Sequence, residues 1–124
     1  YVAWHDLLAI PWREGGTSRA GMDCATVAEE VLRRAGRVPD GAGHHFLSRP
    51  TDDASRIGDE VNAATMTGDM VLARDEEGMA RRLFILVEPE RGTFLTSSHD
   101  HGVVSVRRFA IKDVVGVYRL GVTP

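Results

Sequence analysis

The sequence is poor in cysteine, lysine and aromatic residues, and it lacks long hydrophobic runs. A single cysteine, Cys24, among 124 residues excludes an internal disulfide framework and a cysteine-rich zinc site. No charge of one sign dominates. The formal net charge is −3, with 15 Lys and Arg interspersed among 18 Asp and Glu. That leaves no basic stripe for nucleic acid and no like-charge tail. The longest apolar runs, Leu83–Val87 and Val114–Val117, are strand-sized and too short to span a bilayer. What is present, 43% hydrophobic residues in a chain of this length, predicts one globular domain over residues 1–124 with one core. The sequence opens on Tyr1, with no initiator Met and no signal-peptide pattern, which predicts a start inside a longer product or after processing.

The stretch from Ala9 to Val27 organises the rest. It runs from Pro11-Trp12 through Gly15-Gly16 to Cys24. From Cys24 to about Ala35 the residues Cys24, Val27, Ala28, Val31, Leu32 and Ala35 recur at helical spacing and form one apolar stripe. Asp23 is placed to N-cap this helix, and Gly36 to end it. Glu29, Glu30, Arg33 and Arg34 fall on the other side as favourable i, i+4 pairs. Cys24 therefore belongs in the first helical turn, where free N–H groups and the helix dipole favour a thiolate. It is a candidate nucleophile; the simpler reading of a lone cysteine is a small buried core residue.

Before this helix, Val2–Leu8 predicts a short helix that Pro11 closes off, and residues 13–22 predict a loop. Residues 37–52, with Pro39, Gly41, Gly43 and Pro50, predict a long connection carrying His44 and His45. Asp52 or Asp53 is placed to cap a second helix to about Val61. The period then changes to that of strands: Asp69–Arg74, Arg81–Glu88, Thr93–Ser98, Gly102–Arg107 and Val114–Leu120. Asp75–Gly78 and Pro89–Gly92 read as hairpin connections, and Phe109–Asp113 as a brief turn or helix. The five apolar residues Leu83–Val87 predict a central strand. Helices followed by a meander make an α+β pattern, with the N-terminal helices packed on one face of a five- to six-stranded antiparallel sheet.

The order of these motifs resembles the NlpC-type cysteine peptidase family, the papain-like murein endopeptidases and their phage tail-tip relatives. Pro11-Trp12 followed by Gly15-Gly16 is similar to the family's Pro-Tyr-x-x-Gly-Gly opening. Asp23-Cys24 resembles its Asp-Cys-Ser-Gly element, and Gly68-Asp69-Met70-Val71 its Gly-Asp-Leu-Val strand. Gly92-Thr93-Phe94-Leu95 and then Gly102-Val103-Val104 resemble the hairpin Gly-x-Phe-Ile-His … Gly-Val. Val117-Tyr118-Arg119 resembles the closing strand. The resemblance implies a papain-like NlpC-type fold with Cys24 at the nucleophile position, Trp12 at the mouth of a cleft, and no cofactor.

The family's chemistry needs a histidine at the start of the next strand as base, and a second polar residue, often His, to orient it. Here Arg82 falls at the base position and Thr96 at the orienting position. An arginine stays protonated and cannot serve as a general base. Phe84 stands where the family has a small residue. Strand alternation puts Arg82 and Phe84 on one face, so Phe84 is expected to press into the gap under the Cys24 helix. Arg82 is also expected to lower the Cys24 pKa. His99 and His101, on a turn between two strands, are candidate displaced bases or, with His44 and His45, a candidate metal group; the simpler expectation is exposed loop histidines and no metal. Two functions follow from the resemblance. One is a catalytically impaired structural or interaction domain, of a phage tail tip or related injection assembly, bound to other structural proteins. The other is a peptidoglycan endopeptidase acting on stem peptides. The arginine-rich, lysine-poor composition fits a GC-rich bacterial or phage genome, and the resemblance points to a virion tail or a bacterial cell envelope.

Overall fold

A computed structural model describes residues 3–38, 45–47 and 58–120. Its centre is an antiparallel sheet of six strands: β3 (Gly58–Val61), β4 (Met70–Arg74), β5 (Ala80–Glu88), β6 (Thr93–Ser97), β7 (Val104–Arg107) and β8 (Val114–Leu120). The spatial order is β3-β8-β4-β5-β6-β7. Arg81–Glu88 is thus central, as its apolar run predicted, because both of its faces are covered. A two-stranded hairpin, β1 (Thr17–Ser18) and β2 (Gly21–Met22), precedes α1 (Cys24–Arg34).

The helix forms where its stripe predicted. Asp23, in extended backbone, accepts the Thr26 N–H at 2.8 Å. At the other end Arg37 N–H reaches the Leu32 carbonyl and Gly36 N–H the Arg33 carbonyl, a Schellman closure with Gly36 at φ +68°. Val27, Val31 and Leu32 are fully buried and pack with Leu83, Ile85 and Val87 of β5 and Leu95 of β6. Burying each such aliphatic side chain contributes about 1.5–3 kcal/mol, and this is the layer that seats the helix on the sheet.

Several expectations are corrected. Of the predicted helix Val2–Leu8, the described residues make only a single 3-10 turn, His5–Leu7. Trp4, Leu7 and Ile10 are buried at a spacing of three, the period of that turn rather than of an α-helix. The predicted 13–22 loop contains the β1–β2 hairpin. Most of the predicted second helix, along with residues 39–44, lies outside the described residues. Its last four residues, 58–61, are strand β3, paired with β8 from Gly58 against Leu120 to Val61 against Val117. Phe109–Asp113 is not helical; Phe109 and Ile111 lie against the sheet. Glu29 is buried and accepts the Phe46 N–H at 2.9 Å instead of sitting on the solvated face with Glu30, whose bond to Arg34 is present.

The largest correction concerns Phe84. Leu83, Ile85 and Val87 face α1, so alternation turns Phe84 to the opposite face of the sheet. There it joins Val71 and Ala73 in a second apolar cluster capped by Phe109 and Ile111. Phe84 does not fill the space under the Cys24 helix.

One polar group is buried deep in this architecture. Asp69 is fully buried and holds Arg119 in a two-pronged pair at 2.9 and 2.7 Å. Its Oδ2 also accepts the N–H groups of Thr65 and Met66. Arg37 lies 3.5 Å away and donates to the carbonyls of Leu120 and Thr67. This network fastens the end of α1, the start of β4 and the end of β8 to one another.

Candidate functional site

An open groove of about 780 Å³ is lined by the first turn of α1, the loop at residues 12–15, the β4–β5 and β6–β7 connections and residues 109–113. The chain reaches it through the Gly-rich turn. Gly16 accepts, on its carbonyl, the Asp23 N–H at 3.1 Å and the Thr26 hydroxyl at 2.9 Å. A Cβ at Gly16 would stand 2.4 Å from the Gly21 carbonyl oxygen, so only glycine lets this turn close on the hairpin. The turn thereby sets the start of α1, and with it Cys24, at the groove wall.

Cys24 is half-buried. Its thiol donates to the Arg81 carbonyl at 3.2 Å. Burial pushes its pKa up to about 11; the Leu83 N–H opposes this and the Asp23 charge adds to it. The expected thiolate is therefore corrected. Desolvation outweighs the helix-terminal N–H groups, and Arg82, for its part, turns to other partners.

Arg82 is half-buried on the groove face of β5, beside Phe84 and across from Ala73. Its Nη2 lies 3.4 Å from Asp100 and 3.6 Å from Glu76. Thr96 is buried, and its hydroxyl donates to the Leu83 carbonyl at 2.6 Å, so it is satisfied within the sheet. Next to it Ser97 donates to the Met22 carbonyl at 2.7 Å, tying β6 to the hairpin in front of Cys24.

The turn between β6 and β7 carries His99 and His101, both exposed. Both reach the groove. His99 meets Trp12 edge to face at 5.1 Å between ring centres. His101 meets Phe109 at 5.8 Å, and its Nδ1 is 3.0 Å from the Ser98 hydroxyl. Trp12, Asp23, Cys24, Arg82, Phe84, Thr96, His99 and His101 therefore line one groove. His44 lies outside the described residues, and His45 is not a groove residue. Among the described residues no three metal-ligating side chains come together.

Three groove residues escaped the sequence reading: Glu76 and Asp100, the acidic partners of Arg82, and Phe109, which covers Phe84 at 5.2 Å. Each comes from a loop, where no periodicity announces its partner.

The sequence matches no family model and no curated protein. Solved structures do match. The chain is similar to an NlpC/P60 family protein from Bacillus cereus, with a TM-score of 0.70 and 17% identity over 94% of this chain and 37% of that one. It is similar to the NlpC/P60 domain of the peptidoglycan hydrolase SagA, with a TM-score of 0.62 and 17% identity over 94% of this chain and 92% of that one. It is also similar to the P60 domain of an antigen from M. avium subspecies paratuberculosis, with a TM-score of 0.67 and 16% identity over 94% and 88%. The chain thus spans little more than a third of the B. cereus protein and most of the other two. At such identities the likeness is one of fold: the chain has the NlpC/P60 fold.

Proposed function

We propose that this chain is a papain-like NlpC/P60 domain that has lost hydrolysis and uses its groove for binding, as a component of a larger assembly. The observation that carries this reading is the Cys24 thiol. It is hydrogen-bonded to the Arg81 carbonyl and burial pushes its pKa up to about 11; the motif resemblance adds that Arg82, permanently charged, falls at the strand position of the family's base. A thiol with that pKa is ionised to roughly one part in ten thousand at pH 7. Cysteine hydrolysis needs a thiolate and a proton acceptor within hydrogen-bond reach. Arg82 supplies neither, and Thr96 spends its hydroxyl on Leu83.

The binding partner is a peptidoglycan stem peptide or a structural protein of the same assembly. The likeness to a domain of a peptidoglycan hydrolase supports the first. The resemblance of the sequence motifs to phage tail-tip relatives supports the second, and with it a site in a virion tail or at a bacterial cell envelope. Purified protein incubated with muropeptides is expected to give no cleavage above background, and Cys24→Ala is expected to leave the biological role intact.

A second reading is favoured by one observation. His99 and His101 line the same groove as Cys24, which makes them the candidates for a displaced base. Muropeptide turnover that disappears in Cys24→Ala and in His99→Ala or His101→Ala would establish an active cysteine peptidase or amidase instead.

A further inference from the structure

We infer that Arg82 makes the groove a receptor for the free C-terminal carboxylate of a peptide. This deepens the non-hydrolytic reading and rests on it. Two other arginines show what a guanidinium held by a carboxylate looks like here. Arg119 grips Asp69 with two nitrogens at 2.9 and 2.7 Å. Arg34 grips Asp6 with two at 2.6 and 2.9 Å. Arg82 has neither grip. One nitrogen, Nη2, is shared between Asp100 at 3.4 Å and Glu76 at 3.6 Å. Both contacts exceed the roughly 2.7–2.9 Å of a good charge-assisted bond. Its Nε and Nη1 have no protein acceptor among the described residues. The two acids are themselves well exposed, at 52% and 81% of the side chain, and lose little by returning to water. An incoming carboxylate can displace them and take the planar fork with two parallel bonds.

The surroundings select what carries that carboxylate. Trp12 with His99 on one side, and Phe84 under Phe109 on the other, give the groove apolar walls. Acidic side chains outnumber basic ones along it, so a multiply charged anion is disfavoured in the groove. A carboxylate on an otherwise neutral or cationic body is tolerated, and its side chains meet the aromatic walls. Cys24, protonated and bonded to Arg81, leaves such a ligand uncut.

The test uses the folded protein and three neutral-bodied peptides: acetyl-trialanine with a free carboxylate, the same peptide as its C-terminal amide, and acetyl-Ala-Glu amide. Binding is followed by calorimetry and by NMR of the Trp12 indole and the Arg82 guanidinium. The free carboxylate should bind roughly tenfold to a hundredfold more tightly than the amide, the usual worth of a charge-assisted hydrogen bond. The preference should vanish in Arg82→Gln and return in part in Arg82→Lys. Asp100→Asn, which removes a competitor, should tighten the acid peptide and leave the amide alone; a purely structural role for Arg82 would not produce that. Equal binding of acid and amide, binding of neither, or an acid preference that survives Arg82→Gln overturns the inference. Equal affinity for the glutamate peptide overturns the C-terminal assignment. Failure of the non-hydrolytic reading has a different signature, the release of alanine fragments over time in wild type but not in Cys24→Ala.

Discussion

The chemistry of Cys24 can be measured directly by alkylation. Iodoacetamide reacts with the thiolate only, so the rate scales with the ionised fraction. An unfolded thiol near pKa 8.5 is about 10% ionised at pH 7.5. At the folded value of about 11 the fraction is lower by about two orders of magnitude. Half-burial and the bond to the Arg81 carbonyl slow access further. Folded protein should therefore be alkylated at least about two orders of magnitude more slowly than the same protein in urea, by the same ionisation argument. The folded rate should keep climbing about tenfold per pH unit beyond pH 9. Mass spectrometry of timed quenches reads both quantities. The linkage has a definite sign. A thiol pKa raised by folding contributes stability that is complete below the unfolded value and is lost as pH rises through that value toward the folded one. Wild type should therefore lose thermal stability from about pH 8.5 upward relative to Cys24→Ser, which does not titrate there. A folded rate within tenfold of the unfolded one, or a plateau with a midpoint near or below pH 8.5, would refute the reasoning. If that rate also dropped in His99→Ala or His101→Ala, an imidazole would be acting as the base.

Three further outcomes are expected. Asp69→Asn leaves two guanidiniums beside a neutral amide in a buried site, and should cost about 3–5 kcal/mol in urea unfolding, the range for breaking a buried ion pair; a cost below about 1 kcal/mol would show that the network is not structural. Burial raises the Asp69 carboxyl, but Arg119 and the Thr65 and Met66 N–H groups pull it below its ordinary value. Its stability contribution is then complete above about pH 4 and lost as pH falls below it, so wild type should fall toward Asp69→Asn on acidification. Phe84→Ala should cost about 3–5 kcal/mol by emptying the cluster with Val71, Ala73 and Phe109, while leaving the Cys24 alkylation rate unchanged; a large acceleration would mean that the ring shields the thiol after all. Asp23→Ala should lose about 0.5–2 kcal/mol with the N-cap and also speed alkylation of Cys24, because the Asp23 charge helps hold the thiol protonated. A slower reaction would contradict that electrostatic role.

The legible parts of this chain were those with a period. The i, i+3, i+4 stripe from Cys24 to Ala35 located α1, and Asp23 and Gly36 located its ends, because capping and the helical repeat act between neighbours in sequence. The run Leu83–Val87 marked the central strand, because only a strand paired on both sides buries so much. Alternation also placed Arg82 and Phe84 on one face. The missed elements lack such signals. The edge strand Gly58–Val61, half-buried at its ends and exposed between, is held by pairing with β8 rather than by its own composition. The turn at His5–Leu7 is set by burying Trp4, Leu7 and Ile10 at a spacing of three.

The sequence by itself determined the helix with Cys24 in its first turn, the meander of strands, and an arginine at position 82, a residue that cannot act as a base. These follow from local periodicity and from the fixed charge of arginine. Only the tertiary structure decided which face of the sheet α1 covers. Alternation gives two faces without saying which is buried under the helix, and so Phe84 lies away from Cys24. Tertiary structure also decided that the Cys24 pKa is pushed up rather than down, since desolvation and the bond to the Arg81 carbonyl belong to packing. It brought Asp100, Glu76, His99 and His101 to one groove with Arg82, because contacts between loops distant in sequence arise only once the sheet has fixed where those loops emerge.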